Sequence, residues 1–391
     1  MTTAAPGRTA ESFRTTGIEQ SFPDAAHRPS SRDLPSLDGL RALSITFVIL
    51  GHAIQGRVIP LVDVVLSRLA NFGVCVFFVI SGFLITTLLS REAESRGGVS
   101  LRRFYLRRTL RIFPPYYAYL LTLLVGVYAF GWAKPPVVRL WPAFTYTTNL
   151  FATHYWLTLH AWSLSVEEQF YVTWPIVLAL LLTKQGVSDG LKSGARVAAS
   201  GLLIFPIIRV IIFAVTREGN LTGGLIFDYV AAGSAAALFV TGAADARVKS
   251  VLDILRRSRW TPLAAIAALV VHLLFQGSTR WRFAIAVIVA TPLEAVLLAV
   301  FVVWAVSNAS HPIGKILNLR LLRIIGVGSY SLYLWQQLFF GQEIPFARDW
   351  AVAARLGGTI VCAALSYFCI ERPSLRLRSR LERRISHNVI A

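Results

Sequence analysis

Four ionisable side chains lie deep inside long apolar stretches of the sequence: His52, Glu167, Glu168 and Arg209. A titratable group at such a place in a membrane segment is costly to bury and is by default a candidate for function. Counted from opposite ends of their segments, His52 and Glu167 each lie about 15 Å deep at about 1.5 Å per residue. They could meet near the midplane as a pair that handles protons, and Glu168 is the alternative carboxylate.

Each of these side chains also has a structural explanation. A histidine can bond to a neighbouring helix, and either glutamate can form a helix-packing ion pair with Arg209. Asp228 lies near the outer end of another apolar stretch, where it is either a substrate-binding or an interfacial residue. Helix packing alone gives little reason for His52 and Glu167 to lie at matching depths, so we favour the functional interpretation.

Three arginines are spaced to bind an anion. Arg41 precedes His52 by eleven positions, which is close to three helical turns, so both side chains share one helix face about 16 Å apart. Arg108 and Arg111 stand at i and i+3 and can present two guanidinium forks to a phosphate or pyrophosphate, while Arg107 enlarges the patch. The positive-inside rule and anionic lipids also favour arginines here, so both interpretations remain open.

Two further positions are candidates for contact with a substrate. Ser81 and Gly82 lie midway along an apolar stretch, where they can expose backbone to a ligand, although helix packing is the commoner role of small residues. Trp162 lies near the outer end of its stretch, where it either lines a sugar site or belongs to the interfacial aromatic belt. We keep Ser81 and Trp162 as candidate substrate-binding residues, together with Glu168, Asp228 and Arg209.

The elements that must hold these groups are transmembrane helices. The chain has 391 residues, 55% of them hydrophobic and 15% charged, and its mean hydropathy of +0.59 exceeds what one soluble core requires. A helix needs about 20 apolar residues to cross the hydrocarbon. Ten candidate stretches cover residues 42–59, 67–90, 110–131, 157–182, 198–216, 223–243, 261–276, 283–306, 323–341 and 351–370. We therefore predict an all-α, polytopic membrane bundle of about ten helices.

The distribution of charge orients these helices. The net charge is +19, which in a soluble protein would suggest nucleic-acid binding, but the basic residues cluster between the apolar stretches. When the N-terminal tail and every second loop are placed on one side, roughly three quarters of the 39 Lys and Arg residues fall there. Because cytoplasmic loops carry this excess, both termini are predicted to be cytoplasmic, in a multi-pass protein of the inner (plasma) membrane. No nucleic-acid partner is expected.

The two ends of the chain and the cysteines are not predicted to contribute to the site. Residues 1–35 are polar and are expected to form a disordered cytoplasmic tail. Residues 36–373 would form the transmembrane domain, and residues 374–391 a basic cytoplasmic tail. The three cysteines lie inside apolar stretches without CxxC or Cys/His spacing, so we predict neither a disulfide framework nor a metal site.

Six ordered segments of the chain resemble a known family. They are residues 37–43 with His52, 77–86, 108–117, 162–171, 329–335 and 371–373. Together they resemble the acyltransferase family 3 of integral membrane proteins over about residues 36–373. The resemblance implies a ten-helix domain, surrounded by membrane lipids, that takes an acyl group from cytoplasmic acyl-CoA. The implied acceptor is a hydroxyl group of a cell-surface polysaccharide, oligosaccharide or lipid-linked glycan, and acetyl is the default acyl group.

The resemblance also implies roles for particular residues. The family's arginine and histidine pattern falls on Arg41 and His52, and its paired-arginine motif on Arg108 and Arg111. Its fourth-span glutamate motif falls most directly on Glu167. The hypothesis is therefore that neutral His52, through Nε2 or Nδ1, takes the proton of the acceptor hydroxyl, with Glu167 orienting the ring. The three arginines would bind the CoA phosphates. An acyl-imidazole intermediate is the alternative route.

The sequence departs from the family at two places. The family's aspartate and glycine pattern matches Asp228 and Gly233, but the arginine that many members carry two residues earlier is replaced by Ile226. Its charge-pairing role is then absent or has moved, with Arg209 as the candidate. Many members also have a histidine where this chain has residues 336–337, both Gln.

One rival from another functional class fits the same composition. A proton-coupled transporter would also bury histidine, glutamate and arginine side chains along its substrate pathway. The chain shows no pair of Gly/Pro-broken helices in two repeated halves, and Arg108 and Arg111 are predicted at the cytoplasmic mouth. These observations favour the acyltransferase, and release of CoA would distinguish the two.

Overall fold

A computed structural model gives the fold of the chain. It describes residues 34–54, 60–132, 140–151, 155–216, 224–243, 246–275, 284–341 and 351–387, and within these ranges the regular structure is entirely helical. The α-helices are α1 (Leu37–Ile54), α2 (Pro60–Arg96), α3 (Leu101–Phe130), α4 (Trp141–Phe144), α5 (Trp156–Leu159), α6 (Ala161–Thr216), α7 (Phe227–Leu238), α8 (Ala246–Arg257), α9 (Leu263–Phe275), α10 (Thr291–Ser307), α11 (Pro312–Leu317), α12 (Arg320–Val327), α13 (Ser329–Phe340), α14 (Val352–Ser366) and α15 (Arg372–His387). The predicted all-α class is confirmed for this part of the chain.

Five helical segments among the described residues are long and apolar enough to cross a membrane. They are Pro60–Arg96, Leu101–Phe130, Trp156–Thr216, Ala286–Ser307 and Val352–Leu381. A bent pair, Phe227–Gly242 with Arg247–Arg257, would make six if it is one span. The predicted count of ten spans and the cytoplasmic termini stay predictions. The predicted N-terminal tail falls almost entirely on residues 1–33, outside the described ranges, and the predicted C-terminal tail begins within α15.

The longest helix reverses direction at a single residue. Gly186 has φ 77° and ψ 173° inside α6, a backbone conformation that residues other than glycine rarely adopt. Beyond it the chain packs back on itself, because a Cβ added at Gly190 would meet the backbone of Leu182, and one added at Gly194 would meet the side chain of Leu178. The sequence predicted two spans here with residues 183–197 as a loop. The reversal is correct, but helix continues on both sides of Gly186, so the loop assignment is wrong.

The start of α1 is fixed by the segment between α11 and α12. The backbone N–H of Ser36 donates to Oδ1 of Asn318 at 3.0 Å, and Nδ2 of Asn318 donates to Oγ of Ser36 at 2.9 Å. A Cβ added at Gly39 would lie against the carbonyl oxygen of Leu317, and one added at Gly326 would lie against that of Asp38. These contacts set the position of α1, and with it the positions of Arg41 and His52.

Helices α2 and α7 cross with their backbones in contact. A Cβ added at Gly82 would lie against the carbonyl oxygen of Val230, and one added at Gly233 would lie against that of Val79. Small residues allow such close crossings in membrane proteins. The packing interpretation of Gly82 is therefore correct, and the crossing brings α2 beside α7 along one wall of the candidate site.

We expect Gly233→Ala to destabilise this crossing. The new methyl group forces the two backbones apart, and overpacking of this kind typically costs about 1–3 kcal/mol. The midpoint of thermal unfolding of the purified protein in detergent measures the effect. Gly357→Ala is the matched control, because Gly357 is also helical but has nothing within 4 Å of the added Cβ; its midpoint should stay or rise slightly. Equal midpoints for both variants would contradict the close crossing.

Candidate active site

The three predicted anion-binding arginines line one small cavity. This cavity has a volume of about 80 Å³ and is called the arginine cavity below. Its lining includes Arg41 from α1, Ser81 from α2, Arg108 and Arg111 from α3, Glu167, Glu168 and Tyr171 from α6, and Ser329, Tyr330 and Tyr333 from α13. The structure thus brings residues 41, 108 and 111 to one cavity. Three guanidinium groups face two carboxyl groups, so the lining has a formal excess of positive charge that an anion would neutralise.

Packing orients the arginines of this cavity. The guanidinium group of Arg108 lies over the ring of Tyr171, 4.7 Å from its centroid, an arrangement that attracts a cation to the face of the ring. Arg41 lies 3.9 Å from the carboxylate of Asp38, the preceding turn of α1. Arg107 instead forms an ion pair with Glu92 at 3.1 Å and is not among the residues that line the cavity. The expectation that Arg107 enlarges the anion-binding patch is therefore wrong.

Glu167 does not contact His52 in the described structure. Its carboxylate accepts hydrogen bonds from Oγ of Ser81 at 2.7 Å and from the hydroxyl of Tyr171 at 3.3 Å. Both donors line the arginine cavity, whereas His52 lines a different one. Matching depth along two helices did not guarantee contact, because depth leaves the rotation of each helix undetermined. The prediction that Glu167 orients the imidazole is wrong.

A larger cavity contains the predicted catalytic histidine. It has a volume of about 880 Å³ and is called the histidine cavity below. Besides His52, polar or aromatic side chains of its lining include Asp63, Ser67, Arg68, Asn71, Asn149, His160, Trp162, Tyr229, His272, Thr291, Glu294 and Gln337. The predicted contact residue Trp162 thus belongs to this lining. Val74 and Tyr333 line both cavities, so the two spaces adjoin across these side chains.

The imidazole of His52 is held by α13 and by α5. Its Nδ1 atom lies 2.8 Å from Oε1 of Gln336. The ring of Trp156 packs edge-on against it, with 5.7 Å between ring centroids. Of the two glutamines at residues 336–337, Gln336 therefore bonds to His52 directly, and Gln337 lines the cavity.

A second histidine of this cavity was missed by the sequence analysis. His160 is 3% exposed, and neither of its ring nitrogens has a hydrogen-bond partner in the described part of the chain. Buried polar atoms are nearly always paired, so the hydrogen-bonding capacity of this ring is unused among the described residues. The signal was present in the sequence: His160 precedes Trp162 by two positions, at the start of the apolar stretch that was assigned to the fourth span.

Arg209 and Asp228 form a buried ion pair. Nη2 of Arg209 lies 2.7 Å from Oδ2 of Asp228 and donates also to Oγ1 of Thr291 at 2.7 Å. Asp228 is 0% exposed, and the partner of Arg209 is this aspartate, so the alternative pairing of Arg209 with a glutamate is wrong. Arg209 thus supplies the charge partner of Asp228, as the sequence suggested. Neither member of the pair is among the lining residues of the two cavities; Thr291 lies between them and the histidine cavity.

One cluster in the described part of the chain offers metal-ligating atoms, although the sequence predicted none. Ligand atoms of Cys75, His272 and Glu294 lie within 4.8 Å of one another. However, Nδ1 of His272 already lies 3.0 Å from Oε2 of Glu294, and Nε2 of His272 lies 2.9 Å from the carbonyl oxygen of Arg68. The histidine and the glutamate thus satisfy each other, and the arrangement is that of a hydrogen-bonded pair in the wall of the histidine cavity.

Comparison with known proteins identifies the family of the chain. Residues 34–371 match the family described as an acyltransferase domain. A Staphylococcus aureus (strain COL) protein named Putative O-acetyltransferase is 28% identical over 374 residues, which cover 88% of this chain and 57% of that protein. The Peptidoglycan O-acetyltransferase OatA of Listeria monocytogenes is 25% identical over 376 residues, which cover 88% of this chain and 56% of the relative. The chain thus spans about half the length of these relatives. No solved structure matches.

Proposed function

The chain belongs to the acyltransferase-domain family that it matches over residues 34–371, and from this premise we propose that it O-acylates a cell-surface glycan with an acyl group from acyl-CoA. The membership makes it an acyltransferase, and its apolar helices indicate a membrane protein. Acetyl is the proposed acyl group, since the relatives are named O-acetyltransferases. The proposed acceptor is a hydroxyl group of a cell-surface polysaccharide, oligosaccharide or lipid-linked glycan.

One observation carries the proposal: the cavity lined by three arginines adjoins the cavity that contains His52. Guanidinium groups bind phosphate oxygens through charge-assisted hydrogen bonds, so Arg41, Arg108 and Arg111 would hold the phosphates of CoA. The thioester would then lie toward Tyr333 and the histidine cavity. With ten spans and cytoplasmic termini, as we propose for the topology, the donor enters from the cytoplasm and the acceptor from the other side.

The reaction needs a base near the acceptor hydroxyl and a donor for the developing oxyanion. The imidazole of His52 takes the hydroxyl proton as the acceptor oxygen attacks the thioester carbonyl carbon. The C–S bond then breaks, and the proton passes from the imidazolium to the departing CoA thiolate. His160 is the candidate oxyanion donor, because its side chain belongs to the lining of the same cavity and its ring nitrogens have no hydrogen-bond partner among the described residues. A two-step route, with the acyl group first on the His52 ring, uses the same groups.

The proposal is tested by acetyl transfer with the full chain in nanodiscs. The assay supplies acetyl-CoA with soluble peptidoglycan fragments or a host glycan extract, and measures free thiol and acetylated product. Thiol release with matching ester formation supports the proposal. Thiol release without any acceptor would indicate an acyl-enzyme or slow hydrolysis. A folded protein that neither binds CoA nor releases thiol would contradict the proposal and favour the proton-coupled transporter.

We expect Arg108→Ala to weaken use of the donor. A hydrogen bond to a charged group is worth about 1.5–3 kcal/mol, so the KM for acetyl-CoA should rise roughly tenfold to a hundredfold. Arg108→Lys should recover only part of this loss, because an ammonium group lacks the planar fork. The matched control is Arg102→Ala, since Arg102 is an exposed arginine of the same helix. An unchanged KM in Arg108→Ala would exclude this arginine from the donor site.

A further inference from the structure

The hydrogen bond between His52 and Gln336 is the first of a series that ends at the main chain. Nε2 of Gln336 donates to Oε1 of Gln337 at 3.1 Å. Nε2 of Gln337 donates to the carbonyl oxygen of Trp156 at 2.6 Å. The indole Nε1 of Trp156 returns a bond to the carbonyl oxygen of Gln337 at 3.2 Å. Three consecutive side-chain bonds thus connect the imidazole to the backbone of α5.

The end of this series determines the direction of every bond in it. A main-chain carbonyl only accepts, so the group of Gln337 that faces Trp156 must be the amide NH₂. The oxygen of Gln337 then faces Gln336, which must present its own NH₂. The oxygen of Gln336 is therefore the atom turned toward His52.

The tautomer of the imidazole follows from this direction. Because an amide oxygen only accepts, Nδ1 of His52 must carry the proton and donate to Gln336. In the neutral ring the other nitrogen, Nε2, is then unprotonated. Nε2 has no hydrogen-bond partner among the described residues, and the side chain lines the histidine cavity. The reactive lone pair is therefore the one that is free to meet a ligand.

We infer that Gln336 and Gln337 are positioning residues that hold His52 in the Nδ1–H tautomer, so that Nε2 is the atom that takes the acceptor proton or the acyl group. This inference rests on the proposed function for its role in catalysis, but not for the tautomer itself. A glutamine at residue 336 that is anchored through Gln337 presents only its oxygen to His52.

The tautomer is measured directly by ¹⁵N NMR of the full chain, labelled at histidine, in nanodiscs. The resonances of His52 are identified by their loss in His52→Gln, since the chain has 7 histidines. The inference predicts a protonated Nδ1 and an unprotonated Nε2 near neutral pH. A protonated Nε2 would overturn it. This result does not depend on any assay of transfer, so failure of the inference and failure of the proposed function remain distinguishable.

Variants of the two glutamines test the positioning role. We expect Gln336→Leu to lower kcat about tenfold to a hundredfold and to populate both tautomers, with the KM for acetyl-CoA unchanged because the arginine cavity is intact. Gln336→Glu should recover much of the rate, since a protonated carboxyl group at this place can accept from Nδ1–H and donate to Gln337. Gln337→Leu breaks the series without touching His52 and should also mix the tautomers. A purely structural role would change the unfolding temperature but leave the tautomer of each folded variant unchanged, and that outcome would overturn the inference.

Discussion

We expect His52→Ala to lose acetyl transfer almost completely. A positioned general base contributes about a hundredfold to ten-thousandfold to the rate of proton transfer, and an acyl-imidazole route would lose the reaction entirely. The product assay in nanodiscs measures this loss. The variant should bind acetyl-CoA as wild type does, because the arginine cavity contains no part of His52.

The control for this variant is His311→Ala. His311 accepts a hydrogen bond from the N–H of Ile313 at the start of α11 and lies outside the lining of both cavities. The His311→Ala variant should keep wild-type activity but unfold at a slightly lower temperature, since loss of a helix cap lowers the free energy of unfolding by about 1 kcal/mol. Full activity in a folded His52→Ala protein would remove His52 from the mechanism and direct attention to His160.

We expect Asp228→Ala to be the most destabilising single substitution of those considered. It leaves the guanidinium group of Arg209 buried without its carboxylate, and removal of one partner of a buried ion pair typically costs about 3–5 kcal/mol. The double variant Arg209→Met with Asp228→Leu should recover much of this loss, because it leaves no unpaired charge. Thermal unfolding in detergent, with the same lipid supplement for all variants, measures both effects.

An exposed ion pair of the same chain provides the comparison. Lys192 and Asp189 lie 2.9 Å apart near the reversal of α6, with side chains 41% and 69% exposed. Asp189→Ala should change the free energy of unfolding by less than about 1 kcal/mol. If Asp228→Ala and Asp189→Ala shifted the unfolding temperature equally, the expectation that loss of the buried carboxylate is more destabilising than loss of the exposed one would be wrong.

The sequence predicted best the contacts that depend on spacing along one helix. Arg108 and Arg111 share a face because three residues make nearly one turn, and their meeting with Arg41 followed from the common end of the membrane to which charge assigned all three. Contacts between helices were harder. His52 and Glu167 were paired by depth alone, but each helix can rotate, and Glu167 faces Ser81 instead.

Three other features were expressed less directly by the sequence: the reversal at Gly186, the ion pair Arg209–Asp228 and the burial of His160. The reversal at Gly186 requires a positive φ at one residue, and the sequence around it otherwise has the composition of a polar loop. The pair Arg209–Asp228 was suggested because Ile226 left an aspartate without its usual partner, and the structure confirms it. His160 lies only three residues inside the predicted span 157–182, so its depth along the helix did not mark it as His52 was marked, and its burial comes from contacts between helices.

The position of Tyr333 bears on how much of the acetyl donor would be lost to hydrolysis. Its side chain belongs to the walls of both cavities, and its hydroxyl bonds to Oγ of Ser163 at 2.6 Å and to the carbonyl oxygen of His160 at 3.2 Å. With the donor entering on one side of it, as proposed, this anchored ring and Val74 form the boundary that the thioester meets before the larger cavity. Water competes with the acceptor hydroxyl for the thioester, so the fit of these two side chains around the donor would decide how much acetyl-CoA is lost as free acetate for each glycan that is modified.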